Sequence, residues 1–295
     1  MSNKLQQLRE NLQQIAGDGC LLIAYSGGVD SAFLLQVAHE TLGEKAQAVI
    51  GISPSLLPEE LEEAREVAAR IGASLREVET HEIDDANYAA NPNNRCYFCK
   101  SELYTVLNRV ASEENFAAIC DGTNQDDMSE WRPGAQAATE NRIHSPLREV
   151  GLTKQEIREL SQQYNLPTWD KPAMPCLSSR LPYGTPVTRE ALRMIGRAEI
   201  YLREKGIKEL RVRHYVENEK PVARIEVAPD ELPKIFGCYE DAAEYLRSLG
   251  YSKVLLDLEG YRRGKMNDVL PASSSAPIQF LTFQPAATAS TTKNN

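Results

Sequence analysis

No stretch of the 295 residues approaches the roughly 18 consecutive apolar positions that a bilayer-crossing helix needs. The N-terminus, MSNKLQQLRENLQQ, is polar and helix-forming and lacks the apolar centre of a secretory leader, so a cytoplasmic setting is expected. Basic residues are too few for a general grip on nucleic acid: 33 Lys and Arg against 42 Asp and Glu leave a net charge of −9. That balance still permits a local basic pocket. The four histidines (His39, His81, His144 and His214) show no metal-ligand spacing. No internal repeat is present. Wholesale disorder is excluded by 42% hydrophobic and 25% charged residues. The length allows one large or two ordinary domains and a core that needs no disulfides. In a reducing compartment the six cysteines are therefore thiols, metal ligands or catalysts. Cys20 and Cys120 adjoin apolar runs and read as buried filler, as does Cys238.

The first half alternates strand-like and helix-like segments. Strands are expected at 21–25 (LLIAY), 47–52, 74–79 and 117–121 (AAICD), with helices from Ser31 to Leu42, Pro58 to Ile71, over 100–115, and over 153–164 behind a Thr153/Glu156 capping box. This order predicts an α/β fold, a parallel sheet with helices on both faces. After Cys176 the character changes. A helix capped by Thr188, half-buried strands at 209–215 and 222–227, a helix near 240–249 and a strand near 253–258 suggest a smaller α+β domain. The expected division is 1–176, 177–270 and a disordered tail at 271–295, where Ala, Ser, Thr and Pro fill 16 of 25 positions.

Ser26-Gly27-Gly28-Val29-Asp30-Ser31 is the sharpest motif, set between an apolar strand and a helix. Two glycines let the backbone turn tightly and approach an anion, and the free N–H groups of the first helical turn point at it. Ser26 and Ser31 add hydroxyls. Asp30 would repel bare phosphate, which implies action through Mg2+. No Gly-Lys-Ser/Thr follows, so this is not a Walker loop. The string resembles the signature of the PP-loop ATP pyrophosphatases. That resemblance implies cleavage of ATP between its α and β phosphates, transfer of AMP to a substrate oxygen, and a nucleotide site bordered by Asp121-Gly122-Thr123-Asn124 after the fourth strand.

Cys96-Tyr97-Phe98-Cys99 follows a segment, Asn-Pro-Asn-Asn-Arg, that reads as loop rather than as the strand-to-helix turn of a thioredoxin-like site. No second CxxC exists to complete a zinc site. Cys176 lies in a Pro-rich loop where core filler is unexpected, and Arg180 nearby would favour its thiolate. Three such cysteines could hold a [4Fe-4S] cluster with one iron left open.

SGGVDS, NRCYFCK, DGTN, WRPG, CLSSRLPYGTPVT, RVR and GKMND together resemble the LarE family of ATP-dependent sulfur transferases, from about residue 10 to 270. The resemblance implies adenylation of a carboxylate of a pyridinium biscarboxylate mononucleotide and its conversion to a thiocarboxylate, in assembly of the nickel-pincer nucleotide cofactor of lactate racemase. One version of the family sacrifices a lone cysteine at the position of Cys176. The other relays sulfide through a cluster on three cysteines, and Cys96 and Cys99 place this sequence there, with Cys96, Cys99 and Cys176 as ligands. Cys176 is then also the expected catalytic residue.

Arg211 and Arg213 alternate along one strand and share a face, a fit for a mononucleotide phosphate, where the resemblance also places them. Arg180 and Ser179 are further substrate candidates, Glu226 a partner or metal ligand, and Trp131 either a wall of the nucleotide pocket or plain core. A homo-oligomer and partner enzymes of the nickel-pincer pathway are expected from the family alone. The rivals are a tRNA thiolase, disfavoured by the acidic balance, an amidating ligase, which would leave the cysteines dispensable, and a nucleotide sensor without catalysis.

Overall fold

The computed structural model describes residues 2–129, 133–172 and 175–262. The expected elements at Trp131, at the GKMND segment and in the tail from Pro271 lie outside the described residues. Four parallel strands form the first sheet: β1 (Leu21–Ala24), β2 (Ala46–Ile52), β3 (Leu75–Glu79) and β4 (Ala118–Asp121), in the order β3-β2-β1-β4. Its longer helices are α1 (Ser2–Ala16), α2 (Val29–Leu42), α3 (Pro58–Ile71), α4 (Arg95–Glu113), α5 (Pro133–Glu140) and α6 (Lys154–Gln163).

The reason for the two-sided cover is visible in β1. Leu21 and Ile23 enter one apolar cluster with α1, α2 and α6, while Leu22 enters a second with Tyr104, Leu107 and Ala137 of α4 and α5. A strand apolar on both faces must be covered on both, which is the condition of a parallel sheet. The α/β reading of the sequence therefore holds. The order places β1 between β2 and β4: the chain steps outward from β1 through β2 to β3 and then crosses back to β4 on the other side of β1. Loops at the carboxyl ends of β1 and β4 consequently open a crevice between them.

The later part holds a three-stranded mixed sheet. β5 (Leu210–Glu217) and β6 (Lys220–Val227) form an antiparallel hairpin, and β7 (Lys253–Leu256) runs parallel to β6. Helices α7 (Arg189–Glu204) and α8 (Tyr239–Ser248) bury this sheet through Met194, Ala198, Leu202, Val212, Ile225 and Leu246. Both parts meet in a further apolar cluster, where Leu57, Ile83 and Tyr88 pack on Leu177, Leu181, Leu192 and Ile195.

One expectation is corrected. The CxxC does not sit in a loop: α4 begins at Arg95, so Cys96 and Cys99 occupy its first turns. Pro92 precedes the helix rather than interrupting it, and the Arg95 N–H is taken by the Pro92 carbonyl at 3.0 Å.

Candidate active site

The loop after β1 is internally braced. The Ser31 hydroxyl accepts from the Ser26 N–H at 3.1 Å and donates to the Gly28 carbonyl at 3.2 Å, and the Ser26 and Ser31 hydroxyls lie 3.1 Å apart. Gly27 has φ +71°, and a Cβ there would come within 2.8 Å of Ala64 Cβ, so only glycine lets the loop turn against α3. Gly28 is the N-cap of α2 and offers no side-chain cap, which leaves the first-turn N–H groups pointing into the crevice as anion donors.

Across the crevice, Asp121 is a buried hub. Its carboxylate accepts from the hydroxyls of Tyr104 (3.0 Å), Thr123 (2.8 Å) and Ser145 (2.8 Å) and from the Thr123 N–H (3.2 Å). These bonds tie the end of β4 to α4 and to Ser145. The resulting cleft, of about 450 Å³, is lined by Ser26, Gly28, Asp30, Ser31, Asp121 and Gly122, and also by Cys96, Lys100 and Arg148. The phosphate loop, the end of β4 and the first cysteine of the CxxC are thus brought together. Asp30 presents a buried oxygen, Oδ1, with no hydrogen-bond partner, a hard donor suited to Mg2+.

Cys99 packs against the apolar cluster that contains Leu177 and is not among the residues lining that cleft. Its thiol is pushed up in pKa first by burial, then by Cys176, Glu82 and Cys96, so the three thiols are electrostatic neighbours. None of the six cysteines is in a disulfide, and Cys96 and Cys176 are exposed. Among the described residues, no three His, Cys, Asp or Glu side chains gather closely enough to grip a single metal ion. A [4Fe-4S] cluster asks for a different arrangement, thiolates spread around a cube, and the donor chemistry of Cys96, Cys99 and Cys176 suits it.

The Cys176 turn is held from several sides. The Leu177 N–H donates to the Ser55 carbonyl at 3.0 Å. The hydroxyls of Ser55, Tyr88 and Ser178 form a closed buried triangle with edges of 2.9, 2.7 and 2.7 Å. Asn91 donates to the carbonyls of Pro182 (2.7 Å) and Thr185 (2.8 Å) and accepts from Arg95 through its side-chain oxygen. The segment after Cys176 is thereby docked on the start of the CxxC helix.

Arg180 is fully buried against Glu199 rather than open to a ligand, and its Nη1 donates to the carbonyls of Pro175 and Cys176. Arg213 donates to Glu226 at 2.8 Å and to the Ser179 carbonyl at 2.9 Å, and Glu226 also accepts from Arg224 at 3.1 Å. Arg211 lies against the Tyr261 ring, 4.8 Å from its centroid. Burial, followed by the nearby Arg180, lowers the Arg211 pKa, so this guanidinium would gain from an anion. The structure thus draws Arg180, Arg211 and Arg213 into a charged layer beneath the Cys176 turn. Lys100, four residues after Cys96 on the same helical face, is legible only once the helix start is known. Glu199 and Lys154 carry no signal in the sequence.

Residues 1–132 match a family model described as a PP-loop domain. Over 255 residues the chain is 33% identical to the pyridinium-3,5-bisthiocarboxylic acid mononucleotide synthase of Lactiplantibacillus plantarum, covering 86% of this chain and 91% of that one. It is 47% identical over 269 residues to an uncharacterized protein of Synechocystis, covering 90% of this chain and 99% of that one. A more distant relative is the glutamine-hydrolyzing GMP synthase of Aeropyrum pernix, 27% identical over 220 residues, covering 68% of this chain and 42% of that one.

Proposed function

The chain belongs to the LarE family of the PP-loop superfamily, and on that premise we propose that it is an ATP-dependent sulfur transferase converting pyridinium-3,5-biscarboxylate mononucleotide to the thiocarboxylate. The observation that carries the reading is the meeting of thiol and phosphate loop: Cys96 lines the same cleft as Ser26, Asp30 and Ser31. An amidating ligase has no need of a thiol there.

In this reading a substrate carboxylate oxygen attacks the α-phosphorus of ATP, and the bond to the β-phosphate breaks. The N–H groups of Gly27, Gly28 and the α2 start, with the Ser26 and Ser31 hydroxyls, take the charge of the leaving pyrophosphate. Asp30 would hold Mg2+. The acyl-adenylate then accepts a sulfur nucleophile at its carbonyl carbon and AMP leaves with the electron pair. Cys96, Cys99 and Cys176 would hold a [4Fe-4S] cluster, which when bound supplies sulfide from its open iron. Arg211 and Arg213 would bind the substrate phosphate, and Arg180 acts as a positioning residue through the Cys176 carbonyl. A homo-oligomer and nickel-pincer pathway enzymes are the partners this reading entails, and the cytoplasm is the compartment. Among the described residues no helix is long and apolar enough to cross a membrane.

The test is anaerobic turnover with ATP, sulfide and the pyridinium substrate, following AMP, pyrophosphate and product mass. Oxygen-to-sulfur exchange matched by AMP supports the proposal. Pyrophosphate released only with ammonia or with tRNA as acceptor overturns it.

A further inference from the structure

The phosphate loop carries a carboxylate where it should receive an anion. Asp30 lies in the first turn of α2, beside the N–H groups laid out for phosphate. Its charge is balanced from 124 residues away in the chain, where Lys154 at the start of α6 forms an ion pair with Asp30 Oδ2. The pair is only partly shielded, with side-chain exposures of 36% for Lys154 and 22% for Asp30. Asp30 Oδ1 remains buried and without a hydrogen-bond partner.

The base of Lys154 is rigid. Thr153 caps α6 in a reciprocal box with Glu156, and the Lys154 N–H donates to Asp126 at 2.8 Å. Only the four-carbon stem and its ammonium can move. An ammonium is a compact point charge with rotatable donors, equally able to meet a carboxylate or a phosphate oxygen.

We propose that Lys154 is a resident counter-ion of the phosphate loop. Without nucleotide, its ammonium fills the cation position beside Asp30 and keeps a bare divalent metal ion out. When a metal–nucleotide enters, the metal takes the Asp30 carboxylate and the ammonium passes to the pyrophosphate oxygens. Two like charges next to one carboxylate repel, so Lys154 and a bare metal ion compete. The phosphates of the nucleotide remove that competition by giving both cations a partner. The inference rests on the phosphate loop and is independent of the sulfur chemistry.

The experiment uses Mn2+ as the probe. Its binding to the nucleotide-free full chain is followed by the loss of the free-ion paramagnetic resonance signal, and pyrophosphate binding in the presence of Mg2+ is followed by calorimetry. Lys154→Met is expected to bind Mn2+ at least about fivefold more tightly than the unaltered protein. Lys154→Arg should match the unaltered protein, and adding Asp30→Asn to Lys154→Met should abolish the gain. Pyrophosphate affinity should fall about tenfold in Lys154→Met. Unchanged Mn2+ affinity overturns the proposal. Tighter Mn2+ binding with unchanged pyrophosphate affinity overturns the transfer of the ammonium. Should Lys154→Met fail to fold, Lys154→Gln carries the same comparison.

Discussion

Arg180 and Glu199 form a doubly bonded ion pair, Nε to Oε1 at 2.9 Å and Nη2 to Oε2 at 2.8 Å, with neither side chain exposed. Burial opposes both charges, and each holds the other in place: Glu199 raises the Arg180 pKa, while Arg180, with Arg203 and Arg211, holds the Glu199 carboxyl below its ordinary range. The remaining Arg180 nitrogen reaches the Cys176 carbonyl at 3.1 Å, so the pair ties the Cys176 turn to α7.

Removing one partner should therefore be costly. Glu199→Gln leaves a buried guanidinium without its counter-charge, and we expect a loss of about 3–5 kcal/mol of stability, read by urea unfolding. The same variant should speed alkylation of Cys176 by iodoacetamide under native conditions, because its turn loses a fixed anchor. Arg180→Lys keeps the charge but not the fork, and should fall between. Unaltered stability and alkylation in Glu199→Gln would show that the pair does not hold the turn.

The three cysteines should separate two half-reactions. Cys176→Ala is expected to release pyrophosphate with the pyridinium substrate while forming no thiocarboxylate, because the phosphate loop does not depend on that thiol. Cys96→Ala and Cys99→Ala should each lose iron and acid-labile sulfide from the anaerobically purified protein. Iron retained in both variants would remove these two thiols from the donor set.

Much of the fold is legible in the sequence because it rests on local rules. LLIAY followed by SGGVDS gives strand, turn and helix start without any distant contact, and TKQE shows its capping box by spacing. The start of the CxxC helix is hidden because Asn-Pro-Asn-Asn reads as a breaker, whereas its proline only sets the entry to α4. Arg180 shows the opposite limit. An arginine beside a cysteine in a Pro-rich loop reads as a ligand, and only the three-dimensional arrival of Glu199 from α7 shows the charge already matched. The Lys154–Asp30 pair depends on the packing of α6 on α2, which no spacing rule exposes.

Acid should loosen the start of α6. The Glu156 carboxyl is drawn down to about 2, first by Lys4 at 2.8 Å and then by the Thr153 N–H. A depressed carboxylate stabilises the fold above its unfolded value, near 4.5, and that contribution is lost as pH falls toward about 2. Glu156→Gln should therefore flatten the dependence of stability on pH across that window, measured by thermal unfolding at each pH. Thr153→Ala should cost about 1 kcal/mol at neutral pH. An unchanged slope in Glu156→Gln would assign the acid sensitivity to other carboxylates.

Gly122 offers the sharpest test of how the two loops fit. It follows β4 directly, and a Cβ there would lie 2.9 Å from Ser31 N, 3.0 Å from Ser31 Cα and 3.2 Å from the Asp30 carbonyl carbon. These are backbone atoms of the phosphate loop's helix start, so nothing flexible can yield. Gly122→Ala should push the end of β4 away from α2, cost about 1–3 kcal/mol and weaken ATP binding about tenfold. Gly151→Ala is the matched control: its φ of +69° makes alanine costly, about 1–2 kcal/mol, but nothing lies within 4 Å of the added Cβ. Stability should therefore fall in both variants, and ATP affinity, measured by calorimetry, only in Gly122→Ala. Equal affinities would mean that the phosphate loop holds its shape without the close approach of Gly122.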